Sequence, residues 1–338
     1  MTDAVRRAST PTLHDVAQAA GVSLATASRV LNGSERKVAE SFRVRVEQAA
    51  AELGYIPNVS AQAIARGTSR VIALLVADIA DPYFGLVASG VARGADEEDL
   101  IVTVAITERD PQREARILRA LRGQRPRGVI LAASRAGGSE AATGEELAAF
   151  RALGSRTVTF GPGGDRSIRI DNRGGSEQLG RTMAGLGYRQ AVAIGAADGV
   201  RTSDDRLAGF TAGFAEGGGE VARVYRGTFE RDSGAAAMAE ALADGIDEGT
   251  LVFALSDVVA IGAMTAIRDA GRSVGADIAV CGFDDVPVAR DVSPQLTTVH
   301  VPLSELGYEA FRATVDTEWE QAPIALEVRV RASTPGVA

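Results

Sequence analysis

Hydrophobic positions recur along the chain in two different patterns, one before and one after residue 70. Between Thr12 and Ser34, small apolar residues repeat at helical spacing, interrupted by Gly21. From Val71 onward, short runs of Val, Ile and Leu alternate with amphipathic stretches of roughly 10–15 residues. The pattern therefore predicts a small all-helical domain followed by a larger α/β body.

The first segment carries the signals of a helix, a tight turn and a second helix. Thr12 and Asp15 stand at the spacing of an N-cap and its acidic partner, which predicts a helix from about Leu13 to Ala20. Gly21 permits the positive φ of a sharp turn, and Ser23 is suited to cap the second helix. This arrangement is typical of a helix-turn-helix, whose second helix enters the major groove of DNA. The alternative is a helical hairpin that only packs against the body.

Two further helices are predicted before the body begins. Apolar residues at helical spacing indicate one from about Glu40 to Leu53, which Gly54 ends. Asn58 is suited to cap another, of only about two turns, before Gly67. Because a helix this short is marginal in water, we expect a partner to order it. In a dimer on DNA, Ile64 from each copy would wedge into a minor-groove base step. A plain interdomain linker is the alternative.

The body is predicted to form two lobes of doubly wound parallel sheet. The strands are expected at the runs VIALLVA, LIVTVAIT, GVILAAS and TVTFG, then AVAIG, ARVYRG, TLVFALS and IAVCGF. The runs divide near Ser167 to Gly175, and about 270 residues are too many for one core. Ligands bind beyond the carboxyl ends of such strands. Among the residues there, Tyr83 and Phe84 either stack on a ligand or belong to the local core.

Composition narrows the class of protein. The 338 residues are 46% hydrophobic, with a net charge of −8, one cysteine and two histidines. Residues 1–66 hold eight basic and six acidic residues, so the negative net charge of the chain comes from the body. This distribution is typical of a small domain that binds phosphate groups and is joined to an acidic domain. One cysteine excludes an internal disulfide, and we expect no metal, no cofactor and no catalytic residues. Without a signal peptide or an apolar run of about 20 residues, a cytoplasmic protein is expected.

The chain resembles the LacI/GalR family of bacterial transcription regulators over nearly its whole length. The motifs that carry the resemblance are DVAQAAGVSLATASRVLNG (15–33), AAAELGYIPN (49–58), VIALLVADIADPYF (71–84), DDRLAGF (204–210), DIAVCGFDD (277–285) and VRAST (330–334). The resemblance implies an N-terminal helix-turn-helix domain and a periplasmic-binding-protein-like core, whose chain crosses between lobes near 168–171, 296–301 and 321–325. The implied divisions are a DNA-binding domain at 1–57, a hinge at 58–68 and a core at 69–338, with lobe 1 at about 69–168 and 301–321 and lobe 2 at about 169–298 and 322–332.

On this resemblance, the DNA contacts come from the helix-turn-helix and the hinge. The expected residues are Thr12, Ser23, Leu24, Ala25, Thr26, Ser28, Arg29, Asn32, Tyr55, Asn58, Ala61, Ile64 and Ala65. Arg29 is suited to pair with a guanine edge, whereas Leu24 and Ala25 offer only apolar contact. Ile64 stands where family members usually have leucine, and the segment from Asn32 to Val38 is one residue longer than usual.

The resemblance also completes the candidate ligand site. Arg206 matches the arginine that grips the ligand in the family, unless it pairs at the surface with Asp204 or Asp205, and Ser256 replaces the usual asparagine. The residues expected to bind the ligand are Asp81, Tyr83, Phe84, Asp171, Thr202, Arg206, Ser256, Asp257 and Asp284. Carboxylates, one arginine and an aromatic face suit a neutral polyol such as a sugar, with a nucleoside as the runner-up.

These observations together predict a ligand-responsive transcription regulator. We expect a homodimer that binds a pseudo-palindromic operator in double-stranded DNA, and a sugar-like effector between the lobes that changes operator affinity. A repressor relieved by its ligand is the first expectation. The alternatives are a regulator that needs a nucleoside or purine-like co-repressor, and a solute-binding protein without a DNA function.

Overall fold

The structure, a computed structural model, describes residues 11–32, 38–56, 69–133 and 140–337. The chain divides into two compact units between Ser69 and Arg70. No helix within the described ranges is both long and apolar enough to cross a membrane.

The first unit contains three helices, α1 (Leu13–Ala19), α2 (Leu24–Asn32) and α3 (Glu40–Leu53). The predicted cap of α1 is present. The Asp15 carboxylate accepts hydrogen bonds from the backbone N and the hydroxyl of Thr12, both at 2.8 Å. Gly21 has a φ of 63°, and the Ser23 hydroxyl accepts a hydrogen bond from the Thr26 backbone N at 3.1 Å. The local signals in the sequence therefore fix this unit's geometry, and α1 ends one residue earlier than predicted.

Small side chains let the three helices approach closely enough to share one core. Its buried members are Val16, Ala17, Ala20, Ala27, Val46, Ala49 and Ala50. The alanines allow close crossings, and the larger partly buried side chains seal the margins. The chain thus builds a helix-turn-helix with a minimal hydrophobic core.

The first lobe of the second unit is a five-stranded parallel sheet in the order β2-β1-β3-β4-β5. Its elements are β1 (Val71–Val76), α4 (Pro82–Glu97), β2 (Ile101–Ile106), α5 (Pro111–Arg122), β3 (Gly128–Leu131), α6 (Glu140–Ala152), β4 (Arg156–Phe160) and β5 (Arg166–Ile168). The central strands β1 and β3 are almost wholly buried, as their unbroken apolar runs predict. Strand β5 holds only one apolar residue, Ile168, and leaves no such signal.

The second lobe is a four-stranded parallel sheet in the order β7-β6-β8-β9. Its elements are α7 (Asn172–Gly185), β6 (Gln190–Ala196), α8 (Arg201–Glu216), β7 (Glu220–Gly227), α9 (Arg231–Ala243), β8 (Leu251–Ala254), α10 (Asp257–Asp269), β9 (Ala279–Cys281) and α11 (Val288–Asp291). Strands alternate with helices in both lobes, so the predicted α/β fold class is confirmed.

The C-terminal part of the chain links the two lobes. Strand β10 (Thr298–His300) pairs antiparallel with β11 (Glu327–Arg329), and between them α12 (Leu303–Val315) packs against α4, β3 and β4 of the first lobe. Backbone hydrogen bonds from Gly282 to Thr297 and from Asp284 to Val299, both 2.9 Å, join β10 to the segment after β9. The sequence analysis did not predict β11, which is short and largely exposed.

Helices α7 and α8 are in backbone contact through glycine. A Cβ added to Gly209 would lie less than 3.0 Å from the carbonyl of Arg173, and one added to Gly213 would meet the carbonyl of Glu177 in the same way. Real Cβ atoms do not approach this closely, so the helices sit together only because these positions lack side chains. This contact brings Arg206 on α8 within reach of Asn172 at the start of α7.

We therefore expect Gly209→Ala to lower the free energy of unfolding by about 1–3 kcal/mol, since the added methyl group overpacks a backbone contact. Gly85→Ala is the matched control, because Gly85 is helical and a Cβ there has open space. It should leave stability unchanged or raise it by up to about 1 kcal/mol through helix propensity. Urea unfolding measures both, and equal effects of the two variants would contradict the packing argument.

Candidate functional site

A cavity of about 470 Å³ opens beyond the carboxyl ends of the strands, between the two lobes. Seven of the nine residues expected to bind a ligand line it: Asp81, Tyr83, Phe84, Thr202, Arg206, Ser256 and Asp284. Other side chains along its wall are Arg109, Phe160, Ile170, Asn172, Asp205 and Phe229. Its size and its mixture of aromatic and convergent polar groups are typical of a small-molecule site.

Arg206 is the most constrained side chain in the cavity. It is 2% exposed, and all three guanidinium nitrogens donate at 2.8 Å: Nε to Asn172 Oδ1, Nη1 to the carbonyl of Leu255 and Nη2 to Asp284 Oδ1. The guanidinium also lies 3.9 Å from the ring centroid of Phe283. Arg206 therefore pairs across the second lobe with Asp284, and not at the surface with Asp204 or Asp205.

Asp284 reaches the cavity from a strained loop. Its φ is 114° and that of Asp285 is 54°, a region that side-chain-bearing residues rarely adopt. Burial raises the pKa of the Asp284 carboxyl to about 6, an effect that the neighbouring Arg206 cation opposes. Because its pKa is raised in the folded state, this carboxyl makes folding less favourable as pH rises from about 4 to about 6. Backbone strain and a desolvated carboxyl at a cavity wall are both typical of functional groups.

Asp257 lies beneath the cavity, which corrects its expected place among the ligand contacts. It is fully buried, and its carboxylate accepts hydrogen bonds from Thr298 Oγ1 at 2.5 Å and from the Val286 backbone N at 2.9 Å. Burial, with the charge of Asp284 nearby, raises its pKa well above the usual range. Ser256 caps α10 and faces the cavity, whereas the next residue is rotated by about 100° and points inward. Asp257 therefore holds the loop that carries Asp284.

Asp171 also lies outside the cavity. Its side chain is exposed and accepts a hydrogen bond at 2.9 Å from the backbone N of Gly174, as the N-cap of α7. The following residue, Asn172, faces the cavity instead and holds Arg206. Asn172 is not among the residues predicted to bind the ligand, because the start of α7 decides which neighbour turns inward and is uncertain by a residue or two from sequence alone.

The first lobe contributes aromatic rings and a second arginine. Tyr83 and Phe84 meet edge to face, 5.0 Å apart, at the start of α4, where Asp81 is the N-cap and accepts a hydrogen bond from the Tyr83 backbone N. Burial raises the pKa of Asp81. Arg109 lies 4.5 Å from the ring centroid of Phe229 in the second lobe. The sequence analysis missed Arg109 and Phe229, since both lie in loops without a periodic pattern.

The helix-turn-helix presents its expected residues unevenly. Ser23, Leu24, Ala25 and Arg29 are exposed on α2, with Leu24 at 49%. Thr26 is half-buried and shares a 2.8 Å hydrogen bond with the Ser23 hydroxyl. Thr12 belongs to the cap of α1, Ser28 is half-buried, and Tyr55 packs against the three-helix core. Asn58, Ala61, Ile64 and Ala65, and the side chain of Asn32, lie outside the described residues.

A helix-turn-helix unit and a two-lobed body with a polar cavity define a ligand-responsive transcription regulator. Residues 12–58 match the family of bacterial regulatory proteins called the lacI family, and residues 181–334 match the periplasmic binding protein-like domain. The chain is 33% identical over 304 residues to the HTH-type transcriptional regulator GalS of Salmonella typhimurium, covering 87% of this chain and 86% of that protein. The chain therefore belongs to the LacI family.

Other relatives and solved structures agree with this assignment. The regulator CelR of Thermobifida fusca is 32% identical over 313 residues, covering 90% of this chain and 91% of that protein. The lac repressor dimer bound to operator and the anti-inducer ONPF matches with a TM-score of 0.77 at 26% identity, covering 96% of this chain and 99% of that one. A CelR–cellobiose complex matches with a TM-score of 0.66 at 30% identity and the same coverage.

Because Arg206 and Asp284 are both buried, removing one partner strands the charge of the other. We expect Arg206→Met to lower the free energy of unfolding by about 3–5 kcal/mol, and the double variant Arg206→Met/Asp284→Leu to recover a large part of that loss. The exposed pair of Arg181 and Glu216 is the control, and Arg181→Met should change stability little. Urea unfolding of the full cycle measures the coupling, and strictly additive effects of the two buried substitutions would contradict it.

Proposed function

We propose that this protein acts in the cytoplasm as a homodimeric repressor, which binds a pseudo-palindromic operator and whose affinity for it falls when a sugar-like effector occupies the cavity. The role is one of binding and not of catalysis. The observation that carries the proposal is the Arg206–Asp284 pair, which presents a fixed donor and acceptor at the wall of the interlobe cavity. Each hydroxyl group of a polyol both donates and accepts hydrogen bonds, so a polyol can bind the Arg206 donor and the Asp284 acceptor together.

The other cavity groups support a sugar-like ligand. Asp81 and Asp205 add acceptors, Thr202 and Asn172 add side chains that both donate and accept, and Phe84 adds an aromatic face. A relative points the same way, because a solved structure of CelR is a complex with cellobiose. The family match of residues 12–58 disfavours the alternative of a solute-binding protein without a DNA function.

A strand edge that is unpaired within the described part of the chain supports the homodimer. Strand β2 ends the first sheet, and its apolar residues Ile101 and Val104 are 61% and 40% exposed. An edge strand with exposed apolar side chains is a liability for a monomer, because it offers backbone groups and hydrophobic surface to another chain. A second copy of the protein packed on this edge would cover both the backbone groups and the hydrophobic surface.

The effector would act by favouring one arrangement of the lobes. Phe84 and Asp81 belong to the first lobe, whereas Arg206 and Asp284 belong to the second, so a ligand that touches both sets stabilises the lobe angle that lets it do so. A coupling free energy of about 1–3 kcal/mol is typical of such linkage. Asp285 connects the loop of Asp284 to β10 and to the segment after β11. Its Oδ1 accepts a hydrogen bond from Arg331 Nη2 at 2.6 Å, and its Oδ2 lies 3.0 Å from His300 Nδ1.

The DNA part of the proposal is tested at the exposed face of α2. Arg29→Ala should weaken operator binding by about tenfold or more, because a guanidinium that pairs with a base edge is lost. Arg116→Ala in the body, an exposed arginine on α5, removes the same charge and is the control. The operator sequence is first selected from random DNA with the purified protein. Fluorescence anisotropy with this operator and with a scrambled duplex then separates sequence-specific binding from electrostatic binding. Equal losses in the two variants would contradict the assignment.

The ligand part is tested at Asp284. Asp284→Ala strands the Arg206 charge and lowers the melting temperature of the free protein, so its response to sugar is measured relative to that lower value. The variant should abolish the further rise that a binding sugar causes, and the change in operator affinity with it, while DNA binding alone is kept at temperatures where the variant is folded. Because the pKa of this carboxyl is about 6, protonation below that pH removes its negative charge and turns one of its two acceptor oxygens into a donor, so sugar affinity should be weaker at pH 5 than at pH 7. Calorimetric titration at both pH values measures this, and a normal response in Asp284→Ala would place the site elsewhere.

A further inference from the structure

Four arginines line the cavity, and two of them, Arg206 and Arg109, are buried or half-buried. The charges of these two side chains are balanced in different ways. The Arg206 cation is paired within the protein, by Asp284, Asn172 and a backbone carbonyl. Arg109 is half-buried, and its Nε is shielded from solvent without a hydrogen-bond partner among the described residues. The carboxylate of the neighbouring Glu108 does not pair with Arg109, since its Oε2 lies 2.9 Å from Arg113 Nη1 in a separate ion pair. Arg109 therefore brings to the cavity a guanidinium with one unpaired buried N–H and with no ion-pair partner among the described residues.

The backbone holds Arg109 in this position at a cost. Glu108 and Arg109 have φ values of 53° and 55°, which place two successive side-chain-bearing residues in the left-handed region. Thr107 fixes the turn from one side, because its N and Oγ1 both donate to the carbonyl of Val76, at 2.8 and 3.1 Å. Asp110 fixes it from the other side as the N-cap of α5. A strained and doubly anchored turn therefore fixes the backbone position from which the Arg109 guanidinium reaches the cavity.

Aromatic rings desolvate the guanidinium without neutralising it. The Phe229 ring centroid lies 4.5 Å and the Phe84 ring centroid 5.9 Å from the Arg109 guanidinium carbon. Burial lowers the pKa of Arg109, and the carboxylates of Asp81, Asp78 and Glu230 oppose this only through space. Taking a cation out of water without a paired anion is unfavourable, and a guanidinium fork matches a carboxylate or a phosphate group through two parallel hydrogen bonds.

We propose that the effector carries an anionic group, a carboxylate or a phosphate, which Arg109 binds while Arg206 and Asp284 hold the hydroxyls of the sugar body. The charge of the cavity wall agrees, because four arginines line it against three aspartates. This inference rests on the proposed function and narrows its ligand class from neutral sugars to sugar acids or sugar phosphates. Arg109 is then the residue that determines specificity for charge.

The experiment compares each neutral sugar with its acidic counterparts on the full-length protein. D-Glucose is matched with D-glucuronate and D-glucose 6-phosphate, D-galactose with D-galacturonate and D-galactose 6-phosphate, and D-ribose with D-ribose 5-phosphate. Melting temperature screens the set, and calorimetric titration gives Kd. We expect at least one acid to bind about tenfold or more tightly than its neutral parent. The uronate and phosphate arms distinguish the two sources of negative charge.

Variants of Arg109 assign the effect to this side chain. Arg109→Gln should remove the preference for the acid, and Arg109→Lys, which keeps the charge but loses the fork, should restore part of it. Arg116→Gln, at an exposed arginine of the same lobe, is the matched control and should keep the preference. The proposal is overturned if no acid in the set exceeds its neutral parent, or if the preference survives in Arg109→Gln.

Operator binding, measured separately by anisotropy, keeps the two proposals apart. If the protein binds its operator and responds to a neutral sugar as well as to its acid, the proposed function stands and the role of Arg109 falls. If an acid is preferred but no duplex sequence is recognised, the role of Arg109 stands and the proposed function falls.

Discussion

The buried pair of Arg206 and Asp284 is the interaction on which the rest of the site depends. An ion pair in this position is costly to desolvate, so the surrounding groups must supply further hydrogen bonds. Asn172 and the carbonyl of Leu255 each accept one from Arg206, and Asp257 holds the loop of Asp284. The glycine-mediated contact of α7 with α8 is what allows Asn172 and Arg206 to meet. Helix packing in the second lobe thus sets the chemistry of the cavity.

Much of the fold follows from local signals in the sequence. The Thr12–Asp15 cap and the turn at Gly21 depend on neighbouring residues, and the structure shows both. Apolar runs likewise mark strands, and even the three-residue β9 lies in one, whereas β5 and β11 hold a single apolar residue each. These two strands depend on the sheets that they join, and their sequence alone carries no comparable signal.

The candidate site was predictable in its location but not in its details. Strand ends identify the edge of the sheet where ligands bind, which is enough to place Asp81, Arg206 and Asp284. The direction of a side chain at a helix start changes with each residue, so Asp171 and Asp257, which were expected at the ligand, lie outside the cavity lining while their neighbours Asn172 and Ser256 face it. Arg109 depends on a left-handed turn that only tertiary contacts stabilise, and no spacing rule reveals it.

The contact between Arg109 and Phe229 bears on how the two lobes communicate. Arg109 belongs to the first lobe and Phe229 to the second, so this cation–π contact already spans the cavity. A ligand that draws the guanidinium toward an anionic group changes an interaction between the lobes, and not only contacts within one lobe. Its binding free energy therefore differs between lobe arrangements, which is the condition that any ligand must meet to shift a conformational equilibrium. Recognition of the effector and transmission of its presence would then use the same side chain.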